Sequence, residues 1–149
     1  MIVDLEEKEE SGWFDLGDGG RLHLRLLSAD DLKEMRKACF SVKAEYPLLK
    51  TADGKEVYQR FEAQEFDADL FDEMKWDRIV IGWEKILDRN EKPIPVTKEN
   101  KILLMQRVPK FAKAVDDGLL ALKDAEKART EQAEKNLLIG SSGKPNSPS

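Results

Sequence analysis

The sequence predicts an α+β, helix-rich domain, with an N-terminal β-hairpin packed on three to four α-helices and a long C-terminal helix. Three observations lead to this class. Alternating apolar and polar residues flank a glycine-rich turn near the N-terminus, and apolar residues recur at helical spacing over most of the remaining chain. The length of 149 residues and the 40% hydrophobic content suit one domain with its own core.

The hairpin is predicted over residues 12–27, because Asp18-Gly19-Gly20 supplies residues that tolerate a positive φ between two strand-like runs. The second run alternates with a period of two, as in a strand buried on one face. Three leucines share one face and three polar residues share the other: Leu22, Leu24 and Leu26 against Arg21, His23 and Arg25.

A first helix is predicted from Ser28, which has the side chain of an N-cap and is followed by Asp31 at the capping-box position. Its apolar stripe continues until Pro47 ends the pattern. The stripe consists of Leu32, Met35, Cys39 and Val42. Residues 48–61 are ambiguous between strand and helix around a turn at Asp53-Gly54.

A central helix is predicted from about Glu62 to Trp83, followed by a loop that contains Pro93 and Pro95. Thr97 is expected to cap a helix that reaches Gln106. Pro109 then suits the first turn of the last helix. The buried stripe of that helix is predicted as Phe111, Val115, Leu119 and Leu122.

Composition also predicts the organisation of the ends. Residues 1–11 are expected to be a flexible acidic leader, residues 12–139 a single domain with a projecting C-terminal helix, and residues 140–149 a disordered tail rich in Gly, Ser and Pro.

Charge and hydropathy argue against two classes of partner. Residues 1–75 hold 11 Lys/Arg against 19 Asp/Glu, and residues 76–149 hold 14 against 11, so no concentrated basic face for nucleic acid is expected. No apolar run is long enough to span a membrane, and no secretory signal is visible. We therefore expect a cytoplasmic protein without nucleic-acid or membrane partners.

The residues that usually carry catalysis are scarce. His23 is the single histidine and Cys39 the single cysteine, so neither a catalytic triad nor a zinc site is expected, and Cys39 is predicted to be a buried thiol. The 30 Asp and Glu residues are read as a solvated coat. We expect no enzyme, cofactor or metal, and an enzyme that uses carboxylates alone is the remaining catalytic alternative.

Several residues, in their order along the chain, resemble a known protein family. Trp13, the hairpin ending at Leu26 and the segment GWEKILDRNEKPIPVTKENKILLMQRVPKFAKAV, residues 82–115, resemble the tail assembly chaperones of tailed phages and prophages. The resemblance covers roughly residues 11–122. Its signature residues are Trp13, Trp83, Pro93, Pro95, Thr97, Asn100, Pro109 and Phe111. The chain departs from the family at Lys85, where a small residue is expected, and at Arg89–Lys92, where the family usually has a glycine turn.

The resemblance implies a non-catalytic factor in the bacterial host cytoplasm. Such a factor binds the tape measure protein, keeps its apolar helices soluble while the tail tube assembles, and does not remain in the finished particle. The tail tube protein is a further candidate partner. The alternative is a structural virion protein, either a tail completion or a tube-associated component.

The candidate partner-binding residues are Leu137, Leu138 and Ile139, which lie at the far end of a charged helix without an evident stripe to join. A chaperone for apolar helices needs such an apolar surface beside a charged coat. Two other outcomes stay open, since the three side chains could instead fold back on the body or pack in a homo-oligomer.

Overall fold

The computed structural model describes residues 10–142, with side chains through Leu138. In this part of the chain it has seven strands and four helices: β1 (Ser11–Asp15), β2 (Arg21–Arg25), α1 (Ala29–Cys39), β3 (Phe40–Glu45), β4 (Leu48–Lys50), β5 (Glu56–Tyr58), β6 (Phe61–Phe66), α2 (Ala68–Ile79), β7 (Val80–Glu84), α3 (Lys98–Arg107) and α4 (Pro109–Ser142). The predicted α+β class, with its N-terminal hairpin and long C-terminal helix, is confirmed.

The chain divides into two compact units that the sequence pattern does not predict. Of the described residues, the first unit comprises residues 10–26 and 79–142, and the second comprises Leu27–Arg78. The first unit contains a three-stranded sheet in the order β1-β2-β7, and the second contains two separate two-stranded pairs, β3-β6 and β4-β5. All pairings are antiparallel.

The N-terminal hairpin of the first unit forms as predicted. The backbone N–H of Leu16 donates to the carbonyl of Gly20 at 2.9 Å and closes the turn between β1 and β2. Gly17 and Gly19 have φ values of 96° and 82°, a conformation that glycine adopts without steric cost.

The apolar face of β2 forms the core of this unit. Leu22 and Leu24 have no exposed surface, which confirms the predicted alternation. They lie opposite Trp83 and Val80 of β7, so both strands direct apolar side chains to the same face.

Helix α4 covers this sheet. Phe111, Val115 and Leu122 are buried along one stripe, as predicted, and Leu119 is half-buried. Gly118 is also buried, and a methyl group on its Cα would lie 2.5 Å from Cδ1 of Leu24. The helix therefore approaches β2 more closely than any larger residue at this position would allow.

The second unit corrects the extent of the first predicted helix. Ser28 and Asp31 form the predicted capping box, since the Ser28 hydroxyl accepts from the Asp31 N–H at 3.0 Å and the Asp31 carboxylate accepts from the Ser28 N–H at 2.9 Å. The helix ends at Cys39, however, and Val42 lies in β3 instead of on its stripe. Residues 40–45 also alternate in polarity, and their six backbone pairs with β6 favour the strand over local helix propensity.

The predicted central helix from Glu62 to Trp83 is also wrong at both ends. Its first residues belong to β6, and its last residues, the apolar run that starts at Val80, belong to β7. The helix α2 occupies only the middle, and the Asp67 carboxylate accepts from the Leu70 N–H at 3.0 Å at its start. The β-branched run Ile79-Val80-Ile81 favours a strand once β2 offers an edge to pair with.

The ambiguous segment 48–61 forms the hairpin of β4 and β5 and the start of β6. The turn at Asp53-Gly54 is confirmed, since Gly54 has a φ of 85° and donates its N–H to the Thr51 carbonyl at 2.9 Å.

Regular structure extends into both the predicted leader and the predicted tail. Strand β1 begins at Ser11, and the Glu10 carbonyl accepts from the Leu26 N–H at 2.9 Å, so regular pairing starts inside the predicted leader. Helix α4 continues to Ser142, past the predicted start of the tail at residue 140. The rest of the leader and of the tail lies outside the described residues.

Candidate functional site

Trp83 is the signature residue that contacts the most other elements. Its side chain is only 7% exposed. Its indole N–H donates to the carbonyl of Ile94 at 2.8 Å, and its ring meets Phe111 edge-on with 5.9 Å between the centroids. This one side chain therefore connects β7, the proline segment and α4.

The loop that follows β7 folds back on itself. Leu87 and Pro93 form an antiparallel bridge, and the Ile94 N–H donates to the Ile86 carbonyl at 2.9 Å. At its tip the Asp88 carboxylate accepts from two backbone N–H groups, those of Asn90 and Lys92, at 2.8 and 3.0 Å. The expected loop is thus a tight hairpin-like turn, and the Asp88 carboxylate holds the loop's own backbone.

Thr97 and Asn100 connect the proline segment to α3. The Thr97 hydroxyl accepts from the Asn100 N–H at 3.1 Å, which confirms the predicted cap. The Asn100 side chain occupies the position where a capping box has Glu or Gln. It reaches back instead to donate to the Pro95 carbonyl at 2.9 Å. Pro109 begins α4 immediately after the cap residue Val108 that ends α3.

The first unit also contains an apolar groove of about 310 Å³, and Phe111 is the signature residue that lines it. The apolar lining consists of Leu16, Ile86, Leu87, Leu104, Val108 and Phe111. Leu87 is 51% exposed and Val108 39% exposed, so the groove is open to solvent. Its shape and lining suit an apolar side chain presented by a partner.

The rim of the apolar groove is charged. Asp18, Lys85 and Lys110 line it, and the Lys110 ammonium lies 2.7 Å from the Asp18 carboxylate. That hydrogen bond, and then the positive charge of Lys110, lower the pKa of Asp18. One rim lysine thus neutralises Asp18, and the other adds a positive charge.

Trp13 lies apart from the groove lining. Its ring is 41% exposed and stacks on His23, with 4.4 Å between the centroids and 12° between the planes. The Arg21 guanidinium lies 4.7 Å from the centre of the same ring. Trp13 therefore forms a cation–π and stacking ladder on the polar face of the hairpin and does not enter the core.

The predicted partner-binding residues lie far along α4. Leu137 is 44% exposed and Leu138 67% exposed, and the side chain of Ile139 lies outside the described residues. At about 1.5 Å per helical residue, Leu137 lies roughly 39 Å along the axis from Phe111. The structure therefore does not bring this candidate surface together with the apolar groove.

Sequence reasoning missed the exposed apolar side chains of residues 40–66, a segment that we call the arm. Of its residues only Leu49 is even half-buried. Eight of its large apolar side chains are at least 41% exposed: Phe40, Val42, Tyr46, Leu48, Val57, Tyr58, Phe61 and Phe66. Alternation over 40–45 was the available signal, and helical spacing in the same residues concealed it.

Cys39 is buried, as predicted, and its sulfur lies 3.9 Å from the sulfur of Met74. Burial, and then the negative charge of Asp67, raise the pKa of the Cys39 thiol. The thiol therefore stays protonated and weakly nucleophilic near neutral pH.

The described side chains include no group of three or more His, Cys, Asp or Glu residues arranged to hold a metal ion. Among residues 10–142, none of the helices combines the length and apolar character needed to cross a membrane. Comparison with models of known families, with curated proteins and with solved structures found no match to this chain.

Proposed function

We propose that this chain is a non-catalytic tail assembly chaperone of a tailed phage or prophage, acting in the bacterial host cytoplasm. In this proposal it binds the tape measure protein, and the tail tube protein is a second candidate partner. The proposal begins from the signature residues between Trp83 and Phe111, whose order in the sequence resembles this family.

One observation carries the proposal furthest. Several residues of that segment meet in space: Trp83 contacts both Ile94 and Phe111, and the Asn100 side chain bonds the Pro95 carbonyl and so joins the proline segment to α3. A set of residues that builds one packed corner is expected to be retained together, whereas chance matches would be scattered over the fold.

The apolar groove beside that corner gives the proposal a mechanism. An amphipathic helix of the tape measure protein would insert one or two apolar side chains between Leu87 and Val108, which are both partly exposed. Lys85 at the rim would favour client segments that carry a carboxylate next to the apolar residues. The exposed leucines Leu137 and Leu138 are a second contact, on another turn of the client.

The test is co-expression with the tape measure protein of the same genome, followed by affinity pull-down and light scattering of the eluted complex. We expect the full chain to keep the client soluble and to elute with it. Leu87→Glu should weaken recovery of the complex at least tenfold if the groove binds the client, and truncation after Gln132 should do so if the end of α4 binds it.

Leu120→Glu is the matched control, because Leu120 is an exposed leucine of α4, 59% accessible, that does not line the groove. This variant should recover the complex as the full chain does. A tape measure protein that stays insoluble and unbound would contradict the chaperone proposal. Presence of the chain in purified particles would favour the virion protein instead.

A further inference from the structure

The ion pair at the rim of the apolar groove is open to water. It joins Asp18, in the turn between β1 and β2, to Lys110 in the first turn of α4, with 2.7 Å between the carboxylate and the ammonium group. The two side chains are 86% and 62% exposed. Exposed ion pairs are screened by solvent and add little stability. Another carboxylate can therefore take the place of Asp18 at small cost.

The turn that carries Asp18 leaves this residue room to move. The Leu16 N–H closes the turn by donating to the Gly20 carbonyl at 2.9 Å, so the closure does not use the Asp18 side chain. Apart from its chain neighbours, no heavy atom of the described residues lies within 4 Å of the position that a Cβ on Gly19 would take. Asp18 can therefore turn away from Lys110 while β1 and β2 stay paired.

The segment that supplies most of the groove lining is basic. Residues 85–113 hold 8 Lys/Arg against 3 Asp/Glu, whereas the rest of the chain holds 17 against 27. All of these basic side chains except Lys101 are exposed. Of the three acids, Asp88 already accepts from the backbone of its own loop. An acidic ligand is therefore attracted to this segment and repelled by much of the remaining surface.

We propose that the apolar groove selects an amphipathic helix with an acidic residue next to its apolar ones, and that Asp18 holds the place of that acidic residue in the free chain. On binding, Lys110 exchanges the Asp18 carboxylate for the carboxylate of the partner helix. Lys85, which also lines the groove and is exposed, adds a second positive charge for the same carboxylate. This inference rests on the proposed function, because it takes the groove as the client site, and it adds which client segments the groove prefers.

The test uses the full chain and two labelled, alanine-rich peptides. Each is about 18 residues long, enough to form a helix in water, and each has two leucines on one face. The acidic peptide carries Glu beside the leucines, and the basic peptide carries Lys at the same positions. Fluorescence anisotropy measures both Kd values. We expect the acidic peptide to bind at least tenfold more tightly, and this preference to shrink at about 1 M salt, where the Debye length is about 3 Å.

Substitutions at the rim test the exchange of partners. Asp18→Asn should tighten binding of the acidic peptide at least threefold, because it releases Lys110, and Lys110→Met should weaken it at least threefold. In the Lys110→Met background, Asp18→Asn should have a smaller effect, because the ion pair is already absent. Asp15→Asn is the matched control, since it removes the same charge from an exposed residue of the same hairpin that does not line the groove. This control should leave the Kd within twofold of the original value.

Four results would each overturn the proposal: no binding of either peptide up to millimolar concentration, equal affinity for the two peptides, no gain in Asp18→Asn, or an equal gain in Asp15→Asn. These measurements do not use the tape measure protein, so their failure is separate from a failure of the pull-down. The expected peptide preference together with a failed pull-down would support the selectivity of the groove and remove the tape measure protein as its partner.

Discussion

Gly118→Ala should destabilise the protein, although the same change stabilises most helices. In an unconstrained helix interior the replacement gains about 0.5–1 kcal/mol, because alanine loses less backbone entropy than glycine on folding. At Gly118 the new Cβ would stand 2.5 Å from Cδ1 of Leu24 and 3.1 Å from the ring of Phe14. Leu24 has no exposed surface, so its side chain has no open space into which to move.

Overpacking of this kind costs about 1–3 kcal/mol. Set against the gain in helix propensity, the net loss should be roughly 1 kcal/mol, the middle of the range that the two estimates give. In a chain of 149 residues, that loss corresponds to a fall in Tm of roughly 2–4 °C per kcal/mol. Thermal and urea unfolding followed by circular dichroism would measure the change.

A double-mutant cycle tests whether the contact with Leu24 causes the loss of stability in Gly118→Ala. Leu24→Val removes the methyl group that the new Cβ would strike, so Gly118→Ala should cost less in that background than in the original chain. A rise in Tm for Gly118→Ala alone would mean that helix propensity outweighs the contact, and the close approach of α4 to β2 would then be refuted as the reason for glycine here.

Three further predictions concern the packing of Trp83, the backbone at Lys85 and Glu91, and the C-terminal end of α4. Trp83→Ala should cost about 3–5 kcal/mol in urea unfolding, since a buried aromatic side chain and its hydrogen bond to Ile94 are lost together. A near-neutral value would contradict its burial. Lys85→Gly and Glu91→Gly should each leave Tm unchanged or raise it. The two residues have φ values of 57° and 60°, and this left-handed conformation costs a residue with a side chain about 1–2 kcal/mol. A clear fall in Tm would count against backbone strain at these positions. Truncation after Gln132 should leave Tm nearly unchanged, since the removed side chains that the structure describes are exposed, and precipitation or a loss of many degrees would assign them to the core.

Lys85 and Glu91 share a backbone conformation. Among the described residues these are the non-glycine positions with a positive φ. Glycine is the residue that adopts this conformation most readily, so each of the two side chains adds local strain.

The features that the sequence predicted correctly are those set by neighbours in the chain. Ser28 with Asp31, and Thr97 with Asn100, cap their helices through hydrogen bonds across three residues. The N-terminal turn and the break at Pro109 depend on the φ preferences of glycine and proline. These effects act within a few residues, so they can be recognised without knowledge of the rest of the fold.

The tertiary structure decided the features that depend on distant partners. The end of α1 at Cys39 follows from the pairing of residues 40–45 with residues 61–66, and the end of α2 at Ile79 follows from the pairing of β7 with β2. The need for glycine at position 118 comes from Leu24 on another element. The apolar groove likewise combines residues from Leu16 to Phe111. Short apolar runs satisfy helical and strand periodicity alike, and only a neighbouring edge with unpaired backbone groups determines which of the two forms.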